Sequence, residues 1–211
     1  MNIEHIKPKE IEARSFAIIE EELQARGIVL PEDRAFLVKR AIHTTADFDY
    51  AEMLCFSEGV IQRIADLIKA GAVIVTDTNM ALSGINKKRV EAYGGRVCCF
   101  MAEPDVAAES EARGITRATV SVERAAELAK DGPVIYVVGN APTALIRIRE
   151  MYDDGTFTPG AVIGVPVGFV NVEAAKELIM ETDLPYIVNR GRKGGSNVAA
   201  AIINAILYKL L

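Results

Sequence analysis

The chain has 211 residues, half of them hydrophobic and a quarter charged, with a formal net charge of -5. That length supports one domain with a sizeable core, and the acidic balance excludes nucleic acid as a partner, because such binding rests on a net basic surface. No apolar run reaches the roughly 18 residues that a membrane span needs, and the start Met-Asn-Ile-Glu-His-Ile-Lys-Pro lacks the apolar core of a signal peptide, so the chain is expected in the cytoplasm with no membrane partner.

Residues 1–9, including His5, read as a mobile terminus. Pro8 suits a first helical turn, and Ile11, Phe16, Ile19 and Leu23 then describe an amphipathic helix that stops at Gly27. Arg14-Ser15 lies in its middle, where a serine is neither a strong helix former nor a cap; a solvent-facing side chain is the plain alternative to a functional one. Pro31-Glu32-Asp33 opens a second helix, with Phe36, Leu37, Val38, Ala41 and Ile42 at helical spacing, and this helix delivers His43. Arg40, one turn earlier, shares its face. The pair Thr44-Thr45 argues that the helix ends there, so Asp47 reads first as the cap of a helix starting at Phe48 and only second as a partner for His43. There are two histidines in the chain. His43 is therefore the first candidate for proton transfer near neutral pH, with a structural histidine at a helix end as the alternative.

Beyond Tyr50, an amphipathic helix over 58–70 ends at Gly71, and the apolar run Ala72-Val73-Ile74-Val75 continues into Thr76-Asp77-Thr78-Asn79, as a buried parallel strand with a polar carboxyl end. A helix over 86–93 and the strand 96–101 follow. Cys98 and Cys99, adjacent in that strand, point to opposite faces and read as core; with Cys55 they make an odd count without CxxC spacing, which indicates neither a disulfide framework nor a zinc site. Helices over 104–113 and from Thr116-Arg117 to Gly132 lead to the strand Val134–Val138, which runs into Gly139-Asn140-Ala141-Pro142-Thr143. Glycine there permits a tight turn or close backbone approach, and Pro142 opens a helix whose first amides lie beside Asn140 and Thr143. The strand 161–165 ends in Pro166-Val167-Gly168-Phe169, Asn171 can cap a helix to Thr182, and the strand 185–188 precedes Arg190-Gly191-Arg192-Lys193-Gly194-Gly195-Ser196 and a last apolar helix.

Five short buried strands alternating with helices predict a single-domain α/β fold over 1–211: a mainly parallel, doubly wound, Rossmann-like sheet with helices on both faces. Ligands bind such sheets outside the carboxyl ends of the strands, where 76–79, 139–143, 166–169 and 190–196 all lie. No GxGxxG, GxxxxGK[ST] or GxSxG motif accompanies them. The 191–196 segment could hold an anion on its amides, with Arg190, Arg192 and Lys193 adding charge and Ser196 opening the helix; a basic surface loop is the alternative.

Taken together, Ile11 to Phe16, Arg40 to His43, Thr76 to Met80, Thr116-Arg117, the blocks GNAPTAL (139–145) and GVPVGFV (164–170), and Arg190 to Ser196 resemble the precorrin-8 methylmutases, also called precorrin isomerases. The resemblance runs in order from about residue 10 to the C-terminus. It implies a homodimeric isomerase of cobalamin biosynthesis that moves a methyl group from carbon 11 to carbon 12 of precorrin-8 or cobalt-precorrin-8 by a 1,5-sigmatropic shift. No cofactor is implied, since any cobalt would belong to the acidic tetrapyrrole substrate. The family's catalytic histidine matches His43, its substrate-contacting serine and arginine match Ser15 and Arg40, and a further arginine matches Arg117. Thr44-Thr45-Ala46-Asp47, a stretch in which members differ, looks closer to those acting on the cobalt form.

The residues suit that chemistry. A methyl shift needs a shaped cavity and a proton donor, and protonation of the macrocycle by His43 would lower the barrier. Arg14, Arg40, Arg117, Arg190, Arg192 and Lys193 fall in segments able to reach one rim and bind peripheral carboxylates, as Asn140, Thr143 and Ser196 could by hydrogen bonds. Two other readings stay open: a sugar-phosphate isomerase holding phosphate at 191–196 with His43 as base, and a tetrapyrrole carrier that hands its ligand to the next pathway enzyme.

Overall fold

The continuous apolar runs do become strands, and a further strand joins them. The computed structural model describes residues 5–210. Of the terminus expected to be mobile, residues 1–4 lie outside the described residues, while Pro8–Glu10 form a 3-10 turn running into α1 (Ile11–Ala25). Then come α2 (Glu32–Thr45), α3 (Tyr50–Met53), β1 (Leu54–Phe56), α4 (Val60–Lys69), β2 (Val73–Thr76), α5 (Asn79–Gly84), α6 (Lys87–Ala92) and β3 (Arg96–Cys98). The second half holds α7 (Pro104–Arg113), α8 (Arg117–Leu128), β4 (Val134–Val138), α9 (Pro142–Asp153), β5 (Ala161–Gly164), α10 (Val172–Met180), β6 (Tyr186–Asn189) and α11 (Ser196–Lys209).

The sheet order is β1-β6-β5-β4-β2-β3, so it has six strands where the sequence predicts five. The extra one, β1, is three residues long and pairs antiparallel with β6, while every other pairing is parallel. Leu54-Cys55-Phe56 is too short to show a strand period, which needs about four residues or more; its place is fixed by pairing with β6. Alternate residues of the parallel strands face opposite layers. Ile74, Ile135, Ile163 and Ile187 pack with Leu37, Ile64, Ile68, Ile202 and Ile206 from α2, α4 and α11. Val75, Tyr136, Val162 and Val188 pack with Val122, Leu145, Ile148 and Ile179 from α8, α9 and α10. Both faces are thus covered, as continuous apolar strands require. The strand expected over 96–101 ends at Cys98, so Cys99 lies beyond it; both cysteines are half-buried in free form and not core, and burial pushes the Cys98 thiol up to about 11.

From β2 the chain builds β3 on one side and β4 on the other, which makes the gap between the carboxyl ends of β2 and β4 a topological switch point. Asp77 occupies it, fully buried. One carboxylate oxygen accepts the Gly139 N–H at 2.8 Å, and the other accepts those of Asn140 and Ala141 at 2.8 and 2.6 Å. Burial pushes this carboxyl above its usual range, against the pull of those three donors. Gly139 is required for a different reason: a Cβ there would stand 2.6 Å from the Ser196 backbone, where α11 begins.

β1 also decides where the helices before it end. Because β1 runs against β6, its first residue Leu54 pairs with Asn189, the last residue of β6, and the Met53 carbonyl accepts the Arg190 N–H at 2.8 Å. The stretch between His43 and Leu54 is thereby carried to the carboxyl-end rim.

Asp77→Ala would leave three amides of one turn without their acceptor, at roughly 1–3 kcal/mol for each that stays buried and unsatisfied. We expect its urea-unfolding midpoint to fall by an amount equivalent to about 3 kcal/mol; an unchanged midpoint would mean that solvent satisfies these amides.

Candidate functional site

Leu37, Val38, Ala41 and Ile42 turn the inner face of α2 into the core, which leaves Lys39, Arg40 and His43 on its outer side. The helix stops at Thr45, where the paired threonines predict its end. Their hydroxyls donate back to the carbonyls of Arg40 and Ala41 at 2.9 and 2.8 Å, and Ala46 adopts a left-handed conformation, φ 54°. His43 thus stands in the last turn with its side chain exposed. Its ring stacks on Phe16 of α1, centroids 5.1 Å apart and planes 25° from parallel. The Arg40 guanidinium lies 4.7 Å from the same Phe16 ring and bonds Glu12 at 2.6 Å. Ser15 donates to the Ile11 carbonyl at 2.9 Å, which commits its proton and leaves its oxygen as an acceptor. Ser15 and His43 line one cleft of about 360 Å³ with Ile18, Ile42, Ala46 and Phe48. The helix contacts therefore bring Ser15, Arg40 and His43 together.

Asp47 does not cap a helix from Phe48, since the next helix is α3, beginning at Tyr50. Its carboxylate accepts the Asp49 N–H at 3.0 Å and the Lys193 ammonium at 2.5 Å, and the same ammonium reaches Asp49 at 2.6 Å. Lys193 holds the Asp47 carboxyl below the usual carboxylate range. This ion pair ties the end of the His43 helix to the loop after β6. That loop is itself fastened from below. Lys176 of α10, fully buried, donates to the Gly191 and Lys193 carbonyls at 2.7 and 2.9 Å, and burial pulls its ammonium down to about 8. The Asn189 amide bonds the same Lys193 carbonyl.

The remaining candidates lie elsewhere on the rim. Asn140 is exposed beyond the amides held by Asp77, and the Thr143 hydroxyl sits 2.8 Å from that of Thr116. Thr116 caps α8, so Arg117, whose guanidinium donates to the Met101 carbonyl at 3.4 Å, joins Asn140 and Thr143 at the end of β4. Arg190 and Arg192 are exposed, paired with Glu177 at 3.3 Å and Glu173 at 3.4 Å, and Arg192 lies 5.7 Å from the Phe169 ring. Arg14 pairs with Glu21 at 3.4 Å along α1. Ser196 is nearly buried and shares a hydrogen bond of 2.7 Å with Thr78, which places it in the packing of α11 against α5. In the loop before it, the Gly195 N–H is taken by the Val165 carbonyl at 2.9 Å, so that amide is not open to an anion. The cations are distributed over the helical face, the end of β4 and the loop after β6; a single chain does not gather them into one pocket.

Phe16, Lys176 and Lys193 escaped the sequence reading as organisers of the site. Phe16 carries only the signal of an apolar helix position, and a buried lysine on an amphipathic helix shows its role only once its carbonyl partners are placed.

Residues 10–209 match the family model CbiC, precorrin-8X methylmutase. The chain is 43% identical over 209 residues to the cobalt-precorrin-8 methylmutase of Salmonella typhimurium, covering 97% of this chain and 96% of that one. It is 39% identical over 195 residues to the precorrin-8X methylmutase of Pseudomonas aeruginosa, covering 92% and 91%. The crystal structure of precorrin-8x methyl mutase from Thermus thermophilus superimposes with a TM-score of 0.84 at 36% identity, covering 95% of this chain and 97% of that one.

The depressed Asp47 carboxyl gives a signed prediction. Its stabilisation is present above the unfolded pKa, about 3.9, and is lost as pH falls through the lower folded value. In Lys193→Ala, carboxyl NMR should show Asp47 titrating at higher pH than in wild type; an unshifted titration would mean that the ion pair does not form in solution.

Proposed function

Since the chain belongs to the precorrin-8X methylmutase family and is a mutase acting on a tetrapyrrole of cobalamin biosynthesis, we propose that His43 protonates precorrin-8 or its cobalt form and so drives the shift of a methyl group from carbon 11 to carbon 12. The observation that carries this reading is the exposed His43 ring, stacked on Phe16 and sharing a cleft with Ser15. A proton given to the macrocycle polarises its conjugated system, the methyl group migrates within the ligand, and the histidine takes a proton back as the product tautomer forms. Phe16 fixes the plane of the imidazole. Ser15 offers an acceptor in the same cleft, and Arg40 supplies a guanidinium for a peripheral carboxylate. The reaction as proposed takes no added cofactor, and cobalt, where present, arrives with the substrate.

The working unit we propose is a homodimer in the cytoplasm. The His43 cleft, about 360 Å³, is at the small end of the roughly 300–1,000 Å³ typical of ligand pockets, while a corrin precursor with its carboxylate side chains is large. A second copy would supply the missing walls. The candidates at the end of β4 and after β6, namely Asn140, Thr143, Arg117, Arg190 and Arg192, are then contributors from the rim, and product bound there passes to the next enzyme of the pathway.

An anaerobic absorbance time course with precorrin-8 and with its cobalt form tests the assignment. Wild type should produce the corrin chromophore, and His43→Ala should lose about 100-fold or more in rate, as expected when the group that transfers the proton is removed. Equal rates would remove His43 from the chemistry, and binding without conversion by wild type would make the protein a carrier.

A further inference from the structure

On the other side of Arg40 from His43 there is a second cleft, of about 480 Å³, between the outer faces of α1 and α2 and the last turns of α11. Phe16, whose ring stacks on His43, and Arg40, whose guanidinium lies near that ring, line it; Phe36, Lys39, Tyr208 and Lys209 complete its principal walls. The Tyr208 side is unusually cationic. The Arg40 and Arg89 guanidinium groups lie 5.8 and 4.4 Å from its ring, and the Lys209 ammonium lies 4.9 Å from the Phe36 ring. Glu32 is the one carboxylate among the lining residues, against Lys39, Arg40 and Lys209. Glu12 and Glu20 add carboxylates at its edge, paired with Arg40 and Lys39.

The pairing of these cations is open to exchange. Arg40 is held by Glu12 and Lys39 by Glu20, but both glutamate side chains are 62% exposed, and exposed pairs of this kind contribute about 0–1 kcal/mol. Among the described residues, Lys209 has no carboxylate partner at all and rests on an aromatic face. Aromatic walls that present flat faces, bordered by cations whose present partners are weakly held, are complementary to a flat conjugated anion.

We propose that this cleft is a substrate subsite: the acidic macrocycle lies across α2, with its reacting edge at His43 and its far edge against Tyr208 and Phe36, where Lys39 and Lys209 bind peripheral carboxylates. The inference rests on the methylmutase reading above and adds residues to which that reading gives no part. Tyr208 and Lys209 then determine affinity for the ligand without touching the reacting atoms. The aromatic ring gives area and the ammonium gives charge, so loss of both should act mainly on binding.

The test is steady-state kinetics and an absorbance titration, with precorrin-8 in its metal-free and cobalt forms, of wild type and Tyr208→Ala/Lys209→Ala; both side chains are on the exposed side of the last helical turn, so folding can be checked by thermal melting. The expected result is a rise in KM and Kd of about tenfold or more, equivalent to one or two contacts, with a smaller effect on kcat. Conversion by wild type with KM and Kd unchanged in the double variant would overturn the subsite and leave the methylmutase reading intact. Failure of wild type to convert precursor, with tenfold weaker binding in the variant, would do the reverse. Sedimentation that shows a dimer in wild type and a monomer in the variant would assign the cleft to a second copy of the chain and overturn the proposal.

Discussion

Three antiparallel residue pairs decide where the histidine stands. Had β1 been another parallel strand, the helices preceding it would have approached the sheet from its amino end, as βα units do. Because Leu54 pairs with Asn189, the end of α2 arrives at the same rim as the loops after β4, β5 and β6. The Lys193 bridge to Asp47 and Asp49 then fastens helix to loop, and the buried Lys176 fastens the loop to α10. A short strand and two lysines therefore relate His43 to the rest of the rim.

The burial of Lys176 and Asp77 follows one rule with opposite signs. Each is a charged group taken out of water, and each is matched to backbone dipoles in place of a countercharge: two carbonyls for the ammonium, three N–H groups for the carboxylate. Such partners are fixed in space by the secondary structure they terminate, so the side chains act as staples for turns. The turns so held are the two that carry Asn140 and Lys193. Rigid turns of this kind suit the proposed reaction, which asks the protein for shape and one proton.

Four of the five parallel strands were legible in the sequence because each is built on a continuous apolar run shortly after a glycine or proline, and Val134 to Val138 coincides with β4 residue for residue; β3 opens on the exposed Arg96 and ends at Cys98, short of the expected Met101. The helix carrying His43 was legible from its spacing and its threonine end. β1 was not, because three residues carry no period and the strand exists only through its partner. The cap expected of Asp47 fails for a related reason: its partner Lys193 is 146 positions away, and neighbouring residues suggest only a local cap or a contact with His43. Ser196 shows the limit in the other direction, since a serine opening a glycine-rich turn has the pattern of a ligand contact, yet its hydroxyl is engaged with Thr78. What the sequence could not convey was which of its polar residues face one another.

Proton transfer from His43, as proposed, puts the reacting edge of the ligand on the helical face, whereas the general rule for open α/β sheets points to the gap between β2 and β4. A crystal structure of the protein with its corrin product decides between them most directly, through the distance from the His43 imidazole to the macrocycle. The expected result is a ring nitrogen within hydrogen-bond reach of the ligand, roughly 2.6–3.2 Å or through one water. A macrocycle seated over Asp77 and Asn140 with His43 out of reach would contradict it.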